Sequence, residues 1–538
     1  MTYPLAKLPT IDASRYECIS GKEFYGPNGL KFNVYEDVGQ PPDCPNDGGY
    51  RTIYGPSVSF KRIIHANTNK SLNDAFNGRI LLLRPGDDLL RAQQVSFIAA
   101  HRESGLLTKL HLRWCALVPT VDFMTDIADH ISDPHNKKRL REEAWASTLD
   151  QGIAEGELWL TNSRVKIKIK RDEFAKMHKV GRTIADMGVS ASLVGFMLTH
   201  RLKTHMIKAL VDHGHESHFL MSPSEEGLQE AFDSMLNPKY TSYFLYFSDD
   251  STYTVRTPEG VRWWNIDISK CDCSHTPRLF QLLLEMTPPC SQRIMEVLIG
   301  QCAADLVIDA PERRYGRHKV RLRSKNGEPH LLSGSTLTTI INNLACLLIR
   351  LSFQEITGVV TTAKLVNAAR TCGYIITAEE CHVFEKVQFL KHSPTLDVSG
   401  TYRPLLNLGV LLRATGTCRG DLPGRGPLPA RAAAFQRLLL NGMYNTSHFP
   451  LIDSMKAKVA SAKFSAKDER IALMRIGETK LVHKTHFTFD EASIARRYDL
   501  SLADIRELTE GLGNAGFGEV HDSHASRVIL FTDYGLED

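Results

Sequence analysis

Residues Ser242–Val255, SYFLYFSDDSTYTV, constrain the fold more than any other stretch. Two aromatic-rich runs flank Ser-Asp-Asp, the pattern of a β-hairpin with Asp249 and Asp250 at its tip. The flanking aromatics imply that the hairpin lies in a core while its tip stays polar. Adjacent aspartates in a turn are commonly no more than solvated, so the pair alone does not make a site. The chain continues through Thr257, Pro258, Glu259 and Gly260, good turn residues, into a strand-like run at Val261–Ile266. Antiparallel neighbours can be joined by so short a turn, so the chain could traverse the hairpin and this strand as one meander.

In WWNIDISKCDCSHTP, Asp267 ends that third strand, and Asp272 follows in a polar turn before a helix starting near Pro277. Magnesium takes hard oxygen ligands from one or two carboxylates plus substrate phosphates, so a strand-end acid opposite an acidic hairpin is a suitable construction. An ordinary acidic surface loop would read the same way. Further on, SGSTLTTIIN (Ser333–Asn342) is a flexible turn running into a helix whose Thr338 and Asn342 share a face. Leu337, Ile341, Leu344 and Leu348 form a neighbouring apolar stripe. A serine cap is the simpler account of that turn. Upstream, RVKIKIK alternates cations (Arg164, Lys166, Lys168, Lys170) with apolar residues, and Arg171, Lys176, Lys179 and Arg182 follow. Such a strand is either a lysine-protected sheet edge or a phosphate-holding surface.

Together these segments resemble motifs C, A, B and F of viral RNA-dependent RNA polymerases. Val387–Pro394 resembles motif E, and Ala368–Ile376 with an acidic turn after it resembles motif D. The resemblance covers residues 160 to 395. Here the acidic hairpin precedes motif A, an order that resembles the permuted polymerases of permutotetraviruses and birnaviruses. The Ser-Asp-Asp tip differs from the Gly-Asp-Asp and Ala-Asp-Asn tips of those two families and leaves the exact family open.

The resemblance implies an α+β right-hand polymerase of fingers, palm and thumb, with a permuted palm around an antiparallel sheet. Residues 1–155 would be an N-terminal extension and fingers, 156–235 fingers with motif F, and 236–290 palm. Residues 291–330 would be a fingers insertion, 331–395 palm and 396–538 thumb. It implies template-directed RNA synthesis from ribonucleoside triphosphates for viral genome replication and transcription, by two-metal nucleotidyl transfer. Asp249 and Asp267 would hold two Mg2+ or Mn2+ ions, with Asp250 assisting. Asp272, Ser333, Thr338 and Asn342 would recognise the ribose, and Lys170, Lys179 and Arg182 the triphosphate. His382 or Lys386 would be the general acid, and Phe389, Leu390 and Lys391 would form motif E. Implied partners are template and nascent RNA and viral capsid or replication proteins, in the host cytoplasm or the virion. A reverse transcriptase or other palm polymerase, and an inactive RNA-binding palm protein, are the alternatives.

The remaining features bound the reading. A chain of 538 residues can bury a large core in several subdomains, and a net charge of +4 leaves nucleic-acid binding to local basic patches. Eleven scattered cysteines, with Cys271 and Cys273 the one close pair, fit a reduced intracellular setting rather than a zinc finger. The N-terminus lacks a signal segment, and Arg350 breaks the most apolar stretch, Leu344–Phe353, so no membrane anchor is expected. Gly86-Asp87-Asp88 spells a second acidic triplet, but a helical pattern follows it, so an aspartate N-cap is expected there. A short strand is expected at Arg79–Leu83 and helices at 88–103 and 121–131. After Gly-Pro-rich turns near 416–429, helical material is expected beyond Pro429. Helices at Glu491–Tyr498 and Ser501–Leu512, then strands at 517–521 and 526–532, would make a winged-helix-like module or a small helical cap.

Overall fold

The aromatic runs around the acidic turn lie at the centre of a six-stranded sheet in the computed structural model. The described residues are 15–20, 25–26, 29–30, 50–52, 57–58, 69–81, 86–117, 149–170, 180–221, 223–309, 319–414, 417–419, 422–444, 447–475, 487–516 and 520–535. The strands are β1 (Ala209–Asp212), β2 (His215–Phe219), β3 (Ser242–Phe247), β4 (Asp250–Thr257), β5 (Gly260–Ile268) and β6 (Ile376–Cys381). They neighbour one another in chain order. Every pairing is antiparallel except β2 with β3, which are linked through the helix Glu225–Leu236. Phe247 pairs with Asp250 and Thr257 with Gly260, so both connections of the predicted meander are two-residue turns.

β3 is apolar without alternation because both faces of the sheet are covered. Phe244, Tyr246, Tyr253 and Trp264 share one continuous core with helices α1 (Asp87–His101), α2 (Pro277–Met286), α3 (Thr338–Gln354) and α4 (Thr362–Thr371). Tyr243 and Leu245 pack the other way, against Phe232, Met235 and Phe384. Burying a side chain such as Phe244 or Leu245 stabilises by roughly 1.5–3 kcal/mol, so the hairpin is held firmly below its polar tip. α3 is buried continuously from Ile340 to Phe353. Arg350, which interrupts its apolar run, donates from Nη2 to the carbonyls of Asp212 (3.2 Å) and His215 (2.7 Å), tying α3 to the β1–β2 turn.

The RVKIKIK segment forms the strand Val165–Ile169, with Lys166 and Lys168 exposed and Val165, Ile167 and Ile169 buried. It lies inside a five-stranded sheet, between Leu306–Asp309 and Thr183–Asp186, so protection of a sheet edge does not explain its lysines. Tyr16–Ser20 and Lys319–Ser324 complete that sheet. A third core, from Leu405 to Leu530, gathers the C-terminal helices.

Four expectations are corrected. Residues 77–81 form a π-helical turn rather than a strand, because Leu72, Phe76 and Ile80 recur four apart and bury one helical face. The segment 526–532 lies in the helix His524–Tyr534, opened by a reciprocal Ser523–Ser526 cap that buries Ala525 and Ile529. With this segment helical, a small helical cap fits the C-terminal region better than a winged-helix-like module. Glu379 and Glu380 belong to β6 rather than to an acidic turn, and Glu380 accepts from Arg262 Nε of β5 at 2.8 Å. Gly86, not an aspartate, caps α1. Asp87 is the first helical residue, and its buried carboxylate pairs with buried Arg15 at 3.4 Å. The helix expected at 121–131 lies outside the described residues. Among the described residues no helix is long and apolar enough to cross a membrane.

Candidate active site

The β3–β4 turn is Ser248-Asp249, with Ser248 in the left-handed region at φ 55°, a conformation uncommon for a residue with a Cβ. α3 stabilises it from three directions. Asn343 Oδ1 accepts from the Ser248 amide (2.7 Å), Cys346 Sγ donates to the Ser248 carbonyl (2.9 Å), and Asn342 Nδ2 donates to Ser248 Oγ (3.3 Å). The acidic tip is therefore shaped by the helix that carries the polar pair Asn342-Asn343. Two adjacent asparagines in an otherwise apolar helix are the sequence signal for this contact.

Asp250 opens β4 and stands directly across from Asp267 near the end of β5. Residues so paired have Cβ atoms about 4.5–5.5 Å apart, and like charges there repel. Burial, reinforced by Asp249 and Asp267, pushes the Asp250 carboxyl up to about 7, while the Leu390 amide donating to Oδ2 at 2.8 Å draws it down. That amide is presented by a tight turn in which Leu390 (φ 48°) and Lys391 (φ 62°) are both left-handed and Phe389 pairs with His392. Asp249 is reached by solvent within a crowded recess. Desolvation there, then the charges of Asp272 and Asp267, hold its carboxyl above the ordinary range, with Arg182 pulling it back. Three carboxylates that repel one another in one place form a donor set of hard oxygens suited to a divalent cation.

Beside them, Asp272 lies in the single helical turn Cys271–Ser274 and is gripped on both oxygens. Ser333 Oγ donates to Oδ2, and Asn342 Nδ2 donates to Oδ1 at 3.3 Å. The structure thus joins Asp272 to Ser333 and Asn342, which lie 61 and 70 residues further along the chain. Cys271, Asp272 and His275 also meet the spacing of a metal-ligand trio, but His275 Nε2 and Cys271 Sγ both face Asn342 Oδ1, at 2.8 and 3.4 Å, and are engaged there.

Thr338, His382 and Lys386 do not join these acids. The Thr338 hydroxyl turns back to the Ser335 carbonyl at 2.8 Å, as threonines in a first helical turn readily do, and does not join Asp272. His382 and Lys386 stand away from the acidic tip. β6 runs antiparallel to β5, and Thr377 pairs with Asp267 whereas Cys381 pairs with Trp263. His382 is therefore carried beyond the point four residues, or about 13 Å, along the sheet from Asp267. Lys386 is ion-paired with Asp499 at 2.6 Å. Lys391, whose charge reaches Asp250, sets its Nζ over the Tyr534 ring at 3.7 Å, and Phe389 is buried. Lys170 is half-buried where its amide meets the Arg182 carbonyl, and Lys179 lies outside the described residues.

The Ser333-Gly334 turn docks on the strand Thr183–Asp186, with the Ala185 amide donating to the Ser333 carbonyl at 2.7 Å. Gly334 has φ 108°, and a Cβ there would lie 2.4 Å from the Ala185 carbonyl oxygen. Gly334→Ala is expected to cost about 1–3 kcal/mol from backbone strain and to lift Ser333 away from Asp272. Thermal melting checks the first effect, and wild-type stability in this variant would contradict the close approach.

No family model matches the chain, and no curated protein matches it. Among solved structures, the chain is similar to an X-ray structure of the birnavirus VP1–VP3 complex, with 13% sequence identity and a TM-score of 0.39, over 65% of this chain and 49% of that one. The chain spans about half the length of that neighbour.

Proposed function

We propose that this chain is a template-directed RNA polymerase that adds ribonucleoside monophosphates from triphosphates, with its palm motifs in permuted order. The observation that carries the reading is the convergence of Asp249, Asp250 and Asp267 beside the Asp272–Ser333–Asn342 network. Motif resemblance and this geometry bear on the same residues. In this reading the six-stranded sheet is the palm, the sheet around Val165–Ile169 belongs to the fingers, and the C-terminal helical core is the thumb.

Asp249 and Asp267, with Asp250, would hold two Mg2+ or Mn2+ ions, which when bound supply activation of the attacking 3′-hydroxyl and neutralise charge on the leaving pyrophosphate. Arg182, whose charge already reaches Asp249, would steady the triphosphate. Asp272, fixed on both oxygens, would present its remaining lone pairs to the ribose 2′-hydroxyl, which favours RNA over DNA synthesis. The Leu390 amide would keep Asp250 oriented toward Asp267. The partners we propose are template and nascent RNA and viral capsid or replication proteins, in the host cytoplasm or the virion.

The direct test is incorporation of labelled ribonucleotides on an RNA template, with and without Mg2+ or Mn2+. Absence of incorporation under all these conditions overturns the reading. A second test needs no turnover. The folded protein keeps a proton on Asp250 that an unfolded aspartate releases near pH ~3.9, so this group lowers stability as pH rises from there through about 7, and Asp249, raised in the same direction, acts with the same sign. A cation replacing those protons removes the repulsion. Mg2+ is therefore expected to raise Tm clearly at about pH 8 and little at about pH 6. An equal rise at both would contradict metal binding by these acids.

A further inference from the structure

We infer that His275 and Tyr374 form a positioning relay that sets the orientation of the Asn342 carboxamide and, through it, the preference for ribonucleotides over deoxyribonucleotides. The inference rests on the polymerase reading above. Asn342 is buried at 2% exposure, with polar groups at both ends of its amide. One end faces Asp272 Oδ1 and Ser248 Oγ, each at 3.3 Å. The other faces His275 Nε2 at 2.8 Å. An ionised carboxylate only accepts, so the NH2 group must lie toward Asp272 and the carbonyl toward His275. His275 must then carry its proton on Nε2, which leaves Nδ1 bare to accept from the Tyr374 hydroxyl at 3.0 Å. The chain has one direction throughout, with Tyr374 donating to His275, His275 to Asn342, and Asn342 to Asp272.

The relay is built into the fold rather than resting on a loop. His275 and Tyr374 are 3% and 0% exposed. Gln94 of α1 clamps the backbone on both sides of His275. Its Nε2 donates to the Ser274 carbonyl (3.1 Å), and its Oε1 accepts from the Thr276 amide and hydroxyl (2.8 Å each). The residue before Tyr374 is Gly373 at φ 85°, where a Cβ would meet the Leu90 carbonyl and Gln94 Cβ, each at 2.6 Å. α1 thus packs against the residues flanking both members of the relay. Burial also holds the imidazole down at about 4, so His275 keeps a single proton to donate near neutral pH. Without the His275 donor only Asp272 itself and the weak Cys271 thiol donor, 3.4 Å from Oδ1, would hold the Asn342 amide in this orientation rather than the flipped one. The flipped one sets a carbonyl against the Asp272 carboxylate and turns that acid away from the ribose.

The test compares kcat/KM for a ribonucleoside triphosphate and its 2′-deoxy counterpart on an RNA template. It uses wild type, His275→Leu, His275→Gln and Tyr374→Phe, each with a melting curve. The ribo/deoxy ratio is expected to fall about tenfold in His275→Leu, the worth of one buried hydrogen bond, mainly through loss of ribonucleotide kcat/KM. His275→Gln places an amide nitrogen near the position of Nε2 and is expected to restore most of the ratio, which a purely structural role would not predict. Tyr374→Phe keeps the ring, removes only the hydroxyl, and is expected to lower the ratio about threefold, so it decides the matter if His275→Leu does not fold. Ratios unchanged in the folded variants, with incorporation intact in wild type, overturn the relay alone. Wild type that incorporates neither sugar overturns the polymerase reading and the relay with it.

Discussion

Asp267→Asn is expected to reduce ribonucleotide incorporation at least about a thousandfold, equivalent to about 4 kcal/mol of transition-state stabilisation, while leaving the protein folded. Asp267 is exposed near the end of β5, opposite Asp250, and its carboxylate repels that neighbour. Replacing it with a neutral isostere removes repulsion, so the apo variant should melt at or slightly above the wild-type temperature. Loss of activity without loss of stability separates a cation-holding acid from a structural one. Asp249→Asn is expected to behave alike, since the charges of Asp272 and Asp267 crowd the Asp249 carboxylate. Incorporation assays paired with melting curves check both, and full activity in either folded variant would sink the metal assignment.

The second large effect is on stability, and it falls on the other acidic triplet. Asp87→Asn is expected to destabilise by about 3–5 kcal/mol, because it leaves the Arg15 guanidinium charged, buried and unpaired. Both side chains are nearly inaccessible, at 7% and 4% exposure. A mere helix cap would have cost about 1 kcal/mol, and the reciprocal Asp88→Ser, on an exposed residue, should change stability by less than about 0.5 kcal/mol. Incorporation per folded molecule should be unchanged in both. A stable but inactive Asp87→Asn protein would mean that the catalytic acids had been sought in the wrong triplet.

The two triplets show what could be read from the chain. The meander was legible because aromatic runs, an acidic turn and Thr-Pro-Glu-Gly are all local signals, and the strands pair as that spacing allows. The partners of the acids were not. The Leu390 amide, Asn343 and Cys346 reach Asp250 and Ser248 from 95 to 140 residues away, and no local pattern announces which backbone amide will meet a carboxylate. Nor does the chain order show the place of His382, which β6 carries away from the acidic end of the sheet. The run RVILF in 527–531 has the composition of a strand, yet a serine cap and packing into the C-terminal core make it a helix. In each case tertiary contact outweighed local propensity.

The pair of two-residue turns has a kinetic consequence. Asp249 and Asp267 lie eighteen residues apart on one meander, whereas Asp272 and Asn342 are separated by seventy. Closing the shorter loops costs less chain entropy, and hairpins form within about 1–10 μs, so the metal-facing acids belong to a low-contact-order nucleus. The sugar-facing network can form only when α3 docks. Destabilising changes at Pro258 or Gly260 should therefore slow folding, and Asn342→Ala should mainly speed unfolding. Chevron plots showing the reverse would refute that order of assembly, in which the centre for bond formation matures before the centre that chooses the sugar.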